Sequence, residues 1–285
     1  MCRFVLYMGP EIRMSSLVTE PTHSIVVQSY QSDEREEPLN GDGFGVAWYP
    51  PDDRSMPGAF RALTPAWNNR NLISLSSVIS SHCILAHVRA ASPGLPVTQL
   101  NCHPFVRERF CFMHNGGIGE FRAVKRQLSQ MLSDASYNWI QGTTDSEHIF
   151  AWFTDELSTA VGENPTEKVA NALLTTISKV EQLRRSLRIE APCDLNLVVT
   201  DGRSAVVSRY SSGGAKPNSL HIHTGHRYSC DAGDAKLTPC EMPTVLVASE
   251  ALTKDTSWRS VEPNHLVVID ESLEVDIRPI MIHSC

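Results

Sequence analysis

Apolar residues in the first third of the chain fall in short runs bounded by Gly, Pro, Asn or Ser. RFVLYM (3–8), GFGVAWY (43–49), CILAHVRA (83–90) and RFCFMHN (109–115) have the length and the aromatic and branched content of strands. The runs at 3–8 and 83–90 are nearly continuous rather than alternating, the pattern of strands covered on both faces. The period then changes. From Gly119 to about Ser133, Phe121, Val124, Leu128 and Met131 recur at three- and four-residue spacing, which predicts an amphipathic helix. Thr144-Asp145-Ser146-Glu147 has the form of a capping box and predicts a second helix with Ile149, Phe150, Phe153 and Leu157 on its apolar face. Asn164-Pro165-Thr166-Glu167 places a cap before a proline at the first helical position, opening a third helix striped by Val169, Leu173, Ile177 and Val180.

Strand patterns return after Cys193 in LNLVVT, SAVVSRY, SLHIHT, TVLVAS, HLVVID and VDIRPI. Strands, then helices, then strands predict layers of sheet and helix rather than alternating βαβ units. No repeat and no Pro/Gly/Ser-rich linker divides the chain, so one domain over residues 2–285 is expected. A net charge of −7 argues against nucleic-acid or anionic-membrane partners, which need a positive footprint. No apolar run approaches the ~18 residues of a membrane span. Met1–Met8 does not have the form of a secretory signal, which makes the reducing cytosol the expected compartment. There the eight cysteines, which show neither zinc nor C-x-x-C spacing, are expected to stay free. Cys83 and Cys111 sit in apolar runs and read as small buried hydrophobes.

Cys2 differs by position. Loss of Met1 would give it a thiol and an α-amine on one Cα, and an amine of ordinary pKa about 7.7–8.0 can take the thiol proton. Attack on an amide then needs donors for the oxyanion, and Asn115-Gly116-Gly117 offers a side-chain amide and a backbone N–H, although Asn-Gly-Gly alone reads equally as a turn. Arg89 ends an apolar strand, where a buried guanidinium calls for a carboxylate, and Asp145 stands in a helical first turn, where the dipole favours it.

Taken in order, Met1-Cys2-Arg3-Phe4, Asn40-Gly41-Asp42-Gly43-Phe44-Gly45, Ala86-His87-Val88-Arg89-Ala90, Asn101-Cys102-His103-Pro104-Phe105, Met113-His114-Asn115-Gly116-Gly117-Ile118 and Thr144-Asp145-Ser146-Glu147 resemble the glutaminase domain of class II glutamine amidotransferases, which are N-terminal-nucleophile hydrolases. Pro21-Thr22-His23-Ser24 and Thr64-Pro65-Ala66-Trp67-Asn68-Asn69 look most like the stand-alone branch that includes the amidotransferase-like subunit of the fungal glutathione-degradation complex. The resemblance implies an α+β fold, a four-layer αββα sandwich, with no cofactor and no metal. It implies Cys2 as nucleophile, Asn115 and the Gly116 N–H as oxyanion donors, Arg89 for the substrate α-carboxylate and Asp145 for its α-ammonium. Ser92 and His103 fall in supporting positions, and Ala90 replaces the Trp of synthase-fused members.

The activity so implied is hydrolysis of a γ-glutamyl amide, glutamine or a glutathione-type compound, through a thioester and without a fused synthase domain. The alternatives are a glutaminase subunit passing ammonia to a separate partner, or a non-catalytic γ-glutamyl-binding module. Gly41–Gly45 lacks a following helix and reads as a strand-entry turn before a pocket wall. His221, His223 and His226 lack a completing ligand and read as surface or partly buried histidines, and Glu250 as a solvated or pocket-lining carboxylate.

Overall fold

A computed structural model describes residues 2–34, 39–51, 56–92, 94–213, 217–240 and 244–282. The strands are β1 (Arg3–Arg13), β2 (Phe44–Trp48), β3 (Gly58–Ala62), β4 (Ser80–Val88), β5 (Phe105–Arg107), β6 (Phe110–Ile118), β7 (Cys193–Thr200), β8 (Ala205–Ser211), β9 (His221–Asp231), β10 (Asp234–Pro239), β11 (Thr244–Ala248), β12 (Arg259–Ser260), β13 (His265–Ile269) and β14 (Val275–Pro279). The helices are α1 (Ser15–Val18), α2 (Ile25–Gln28), α3 (Arg70–Ser76), α4 (Phe121–Met131), α5 (Asp134–Trp139), α6 (Asp145–Thr159) and α7 (Pro165–Ser186).

Two antiparallel sheets stack face to face. One runs β10-β9-β11-β1-β4-β2-β3, with β12 also on β9, and the other runs β14-β13-β8-β7-β6-β5. Alternation along the strands divides the core into three layers. Phe4, Leu6 and Met8 of β1 face inward and meet Cys111, Met113, Val198 and Val207 of the second sheet. Val5 and Tyr7 point the other way and pack on Leu17, Ile25 and Leu72 of the short helices α1–α3. Phe112, Leu197 and Val199 turn to the far face, under Phe150, Phe153, Leu173 and Ile177 of α6 and α7. The order is therefore helix, sheet, sheet, helix: the αββα sandwich. Cys83 and Cys111 are fully buried in the layer between the sheets, and burial pushes the Cys111 thiol up to about 12. Among the described residues no helix is long and apolar enough to cross a membrane.

Both helix starts fall where the caps predict. Thr144 Oγ1 accepts the Glu147 N–H at 3.2 Å, and Asn164 Oδ1 accepts the Glu167 N–H at 2.9 Å. The reciprocal half of the box is absent, because the Glu147 carboxylate instead accepts the N–H groups of Gln141 and Gly142, at 2.9 and 2.6 Å, and fixes the approach to α6. Helix α4 is shorter at both ends than its periodicity predicts, starting after Glu120, whose φ is +51°. Asn115-Gly116-Gly117 is not a turn. Strand β6 continues to Ile118 and pairs with β7 throughout, Asn115 opposite Asn196 and Gly117 opposite Asp194.

Candidate active site

Strand register assembles the site. Arg3 of β1 lies opposite Val88 of β4, which in turn lies opposite Phe44 of β2, so the residues just beyond these pairs, Cys2, Arg89 and Gly43, meet at one end of the sheet. Hydrogen bonds continue the pairing there, from the Arg89 N–H to Gly43 O at 2.9 Å and from the Asp42 N–H to Arg89 O at 3.1 Å. A cavity of about 430 Å³ opens at this end, between the two sheets and the start of α6. Cys2, Arg89, Ser92, His103, Gly116 and Asp145 all contribute to its wall. Asn115 does not. It is fully buried, its Nδ2 donates to Ser249 Oγ at 3.3 Å, and its Oδ1 has no hydrogen-bond partner.

The Cys2 thiol is half-buried and donates to Ala90 O at 3.6 Å. Burial pushes it above the ordinary range, while the hydrogen bond with Ala90 and the Arg89 guanidinium pull it back. Arg89 is 3% exposed, yet its guanidinium bonds only the carbonyl of Asp42, at 3.3 Å, and forms no ion pair among the described residues. The carboxylate partner expected for it from the sequence is therefore not supplied by the described protein, and the charge faces the cavity. Such a buried cation is costly unless something anionic meets it.

Asp145 is the first residue of α6, at the positive end of the helix. Its Oδ2 accepts the Ile118 N–H at 2.8 Å, and its Oδ1 accepts the Ser146 N–H at 2.8 Å and the Ser146 hydroxyl at 3.3 Å. Gly116 has φ +152°, and a Cβ there would stand 1.9 Å from Asp194 O, so only glycine allows β6 and β7 to approach this closely. Ser92 is exposed at the cavity mouth.

Three buried histidines cluster here, His103 and His114 in the wall and His87 behind it. His87 and His103 stack at 4.3 Å, and Phe105 meets His103 edge-on at 4.6 Å. His87 Nε2–H donates to His114 O at 3.1 Å, and His114 bridges Ser146 Oγ and Asp194 O, each at 3.0 Å. Burial pushes His87 down to about 3 and His103 well below its usual range. Both rings are thus neutral beside Arg89 and add no repulsion to it.

Several residues of the cavity wall were not singled out in the sequence. Asp42 lies in the Gly41–Gly45 segment and lines the cavity, which makes that turn a wall of the site. Asp194 and Asn218 line it too, from the entry of β7 and from the loop before β9, with no motif to announce them. Glu250 is neither solvated nor in this cavity. It is 2% exposed, borders a separate cavity of about 570 Å³, and accepts hydrogen bonds from Arg3, His23, Ser32, Asp33 and Glu34. The ligand atoms of His23, Asp33 and Glu250 lie within 4.8 Å of one another, but the Glu250 oxygens are already occupied by these donors. Of the histidine run, His221 pairs with Glu34 at 3.0 Å, whereas His223 is fully buried against His226 and Trp258 rather than at the surface. The charge run Asp33-Glu34-Arg35-Glu36-Glu37 reads from the sequence as a solvated loop, and residues 35–37 of it lie outside the described residues.

The family model for class-II glutamine amidotransferases matches residues 13–278. The chain belongs to this family. A "Probable glutamine amidotransferase DUG3" of Saccharomyces cerevisiae is 40% identical over 293 residues, covering 94% of this chain and 82% of the yeast protein. A gamma-glutamyl-hercynylcysteine sulfoxide hydrolase of Mycobacterium tuberculosis is 35% identical over 119 residues, 41% of this chain and 50% of that protein. The solved structure of a glutamine aminotransferase class-II domain protein from Silicibacter pomeroyi superposes with a TM-score of 0.66 at 27% identity, covering 98% of this chain and 99% of that one. This class-II amidotransferase is an enzyme of the amidohydrolase type, acting on a linear amide C–N bond.

Proposed function

We propose that the enzyme hydrolyses a γ-glutamyl amide with Cys2, freed as the first residue by loss of Met1, as nucleophile. The observation that carries this reading is the single cavity into which one end of the sandwich brings the Cys2 thiol, an unpaired buried guanidinium, a glycine backbone and a carboxylate from the first turn of α6. A zwitterionic amino-acid head needs one fixed cation and one fixed anion, and Arg89 with Asp145 provides both.

In the proposed reaction the α-amine of Cys2 takes the thiol proton, and Sγ bonds the δ-carbonyl carbon. The oxyanion forms against the Gly116 N–H and Asn115. The long Asn115–Ser249 hydrogen bond and the unpartnered Oδ1 leave that amide able to turn Nδ2 toward the charge. The C–N bond breaks as the leaving nitrogen takes the proton from the α-ammonium, and water then cleaves the thioester, returning the thiol and releasing glutamate. His103 holds the wall beside Arg89 and Ser92 borders the entrance, both in supporting roles. No cofactor or metal takes part, and the reducing cytosol suits the free thiol. The mycobacterial relative, whose name specifies a γ-glutamyl substrate, favours a γ-glutamyl compound over free glutamine as substrate.

Glutamate release from glutamine and from glutathione, measured side by side, tests the reading. Release from at least one is expected, whereas binding without release would make the chain a γ-glutamyl-binding module. Release that appears only with a second protein would assign it as a subunit. In Arg89→Gln, loss of the charged hydrogen bonds to the α-carboxylate is expected to raise KM by about 10- to 100-fold with a smaller change in kcat. An unchanged KM in steady-state kinetics would remove Arg89 from the substrate head.

A further inference from the structure

We propose that Asp194 is a second carboxylate for the substrate's α-ammonium, which it holds together with Asp145 in a notch at Gly117. The inference rests on the γ-glutamyl reading above and extends it by a residue that neither the motifs nor the matched relatives single out.

Asp194 stands at the entry of β7 and lines the catalytic cavity. Its carboxylate accepts no hydrogen bond from the described protein, and Oδ1 is buried without a partner. A buried carboxylate oxygen with no donor is expensive, and so is a buried guanidinium with no anion. Asp194 and Arg89 are such a pair, of opposite sign, on the wall of one cavity. They do not neutralise each other. A ligand carrying both a carboxylate and an ammonium satisfies both at once.

Asp145 alone fills the ammonium role less well, because three N–H and O–H donors of the protein already bond its two oxygens. The strand register places Asp194 beside it. Gly117 and Asp194 are direct partners across β6 and β7, and such opposed positions in an antiparallel pair point to the same face. A Cβ on Gly117 would lie 3.4 Å from Asp145 Oδ2, so the direction left empty by this glycine leads to the Asp145 carboxylate, with Asp194 on the same side. The missing side chain leaves a notch beside the Asp145 carboxylate, on the face of the strand pair that Asp194 shares. Unlike Gly116, Gly117 has no positive φ and no backbone within close reach, so the fold does not require a glycine there and the empty space serves the ligand.

Titration of L-glutamate and of glutarate, which lacks only the α-ammonium, into the wild-type chain, Asp194→Asn and Gly117→Ala by calorimetry tests the proposal without any need for turnover. Wild type is expected to favour glutamate. Asp194→Asn is expected to weaken glutamate by about tenfold or more, the value of one charged hydrogen bond, while glutarate binding stays level. Gly117→Ala is expected to do the same by filling the notch. The melting temperature of Asp194→Asn should not fall below that of wild type, since the Asp194 carboxylate bonds nothing in the described protein and is costly unpaired, and Gly117→Ala should stay close to wild type, its Cβ meeting only Asp145 Oδ2 at 3.4 Å. Unchanged glutamate affinity in Asp194→Asn, a parallel loss of both acids, or a wild-type chain that binds neither or does not discriminate between them would overturn the assignment. A chain that binds glutamate in this way but releases none from amides would defeat the hydrolase reading alone.

Discussion

Cys2→Ala is expected to reduce glutamate release by about four orders of magnitude or more, the scale on which loss of a nucleophile acts when the remaining groups cannot compensate. Cys2→Ser retains an attacking oxygen but loses the easily ionised sulfur and should fall between the two. Binding of glutamate should survive in both variants, because the proposed contacts of Arg89 and Asp145 with the head of the substrate do not involve the thiol. A form that retains Met1 should be as inactive as Cys2→Ala, since the α-nitrogen is then a peptide N–H and cannot accept the thiol proton. Steady-state release from wild type, both variants and the Met-blocked form distinguishes these cases. Substantial turnover by the Met-blocked form would move the base elsewhere, and substantial turnover by Cys2→Ala would remove Cys2 from the chemistry.

Glu250→Ala should produce the largest loss of stability. Arg3, 1% exposed and adjacent to Cys2, donates Nε to Glu250 at 3.4 Å and Nη1 to Cys2 O at 3.3 Å. The same carboxylate accepts His23 Nε2 at 2.7 Å, Ser32 Oγ at 2.5 Å and the Asp33 N–H at 2.8 Å, tying the chain start to the segment that leads toward Asp42. Removing one partner of a buried pair costs about 3–5 kcal/mol, because the other charge is left uncompensated. At roughly 2–4 °C per kcal/mol, Tm should fall by roughly 6–20 °C.

The pH dependence of that loss is also determined. Burial alone would push the Glu250 carboxyl up, but the hydrogen bonds from His23, Ser32 and Asp33 outweigh it and hold the group at about 2. Its contribution is present above the unfolded value of about 4.3 and fades as pH falls through about 2. His23 is raised, chiefly by its hydrogen bond to Glu250. Its contribution is full below the unfolded value of about 6.5 and is lost as pH rises through the raised folded value. The difference in Tm between wild type and Glu250→Ala should therefore be greatest between roughly pH 4.5 and 6.5 and shrink on either side. Calorimetric scans across pH check this, and a gap that widens toward pH 2 would contradict it.

The sequence disclosed most where local chemistry is self-contained. Thr144 and Asn164 cap the helices they announce, and the continuous run of β1 is indeed covered on both faces. The positions of Cys2, Arg89, Gly116 and Asp145 could be read only as an ordered set of motifs, each being weak alone. Elements of two to six residues, such as α1, α2, β5 and β12, were not legible because their stability comes from neighbours rather than from periodicity. Gly116-Gly117 taken alone read equally as a turn because glycine's freedom serves turns and close strand approach alike, and only the partner strand decides. Glu250 read as solvated or pocket-lining, and its burial was not legible because its donors come from segments more than 200 residues away in the chain. Asp194 gave no signal at all, since an acidic residue before an apolar strand is ordinary until a cavity opens beside it.

The central claim is that Cys2, bearing a free α-amine, is the nucleophile. Mass spectrometry of the N-terminal peptide after incubation with a diazo-ketone analogue of glutamine tests it most directly. The account predicts a peptide that begins at Cys2, lacks Met1 and carries one adduct on the thiol. A peptide that retains Met1, or an adduct on any other residue with Cys2 unmodified, would contradict it.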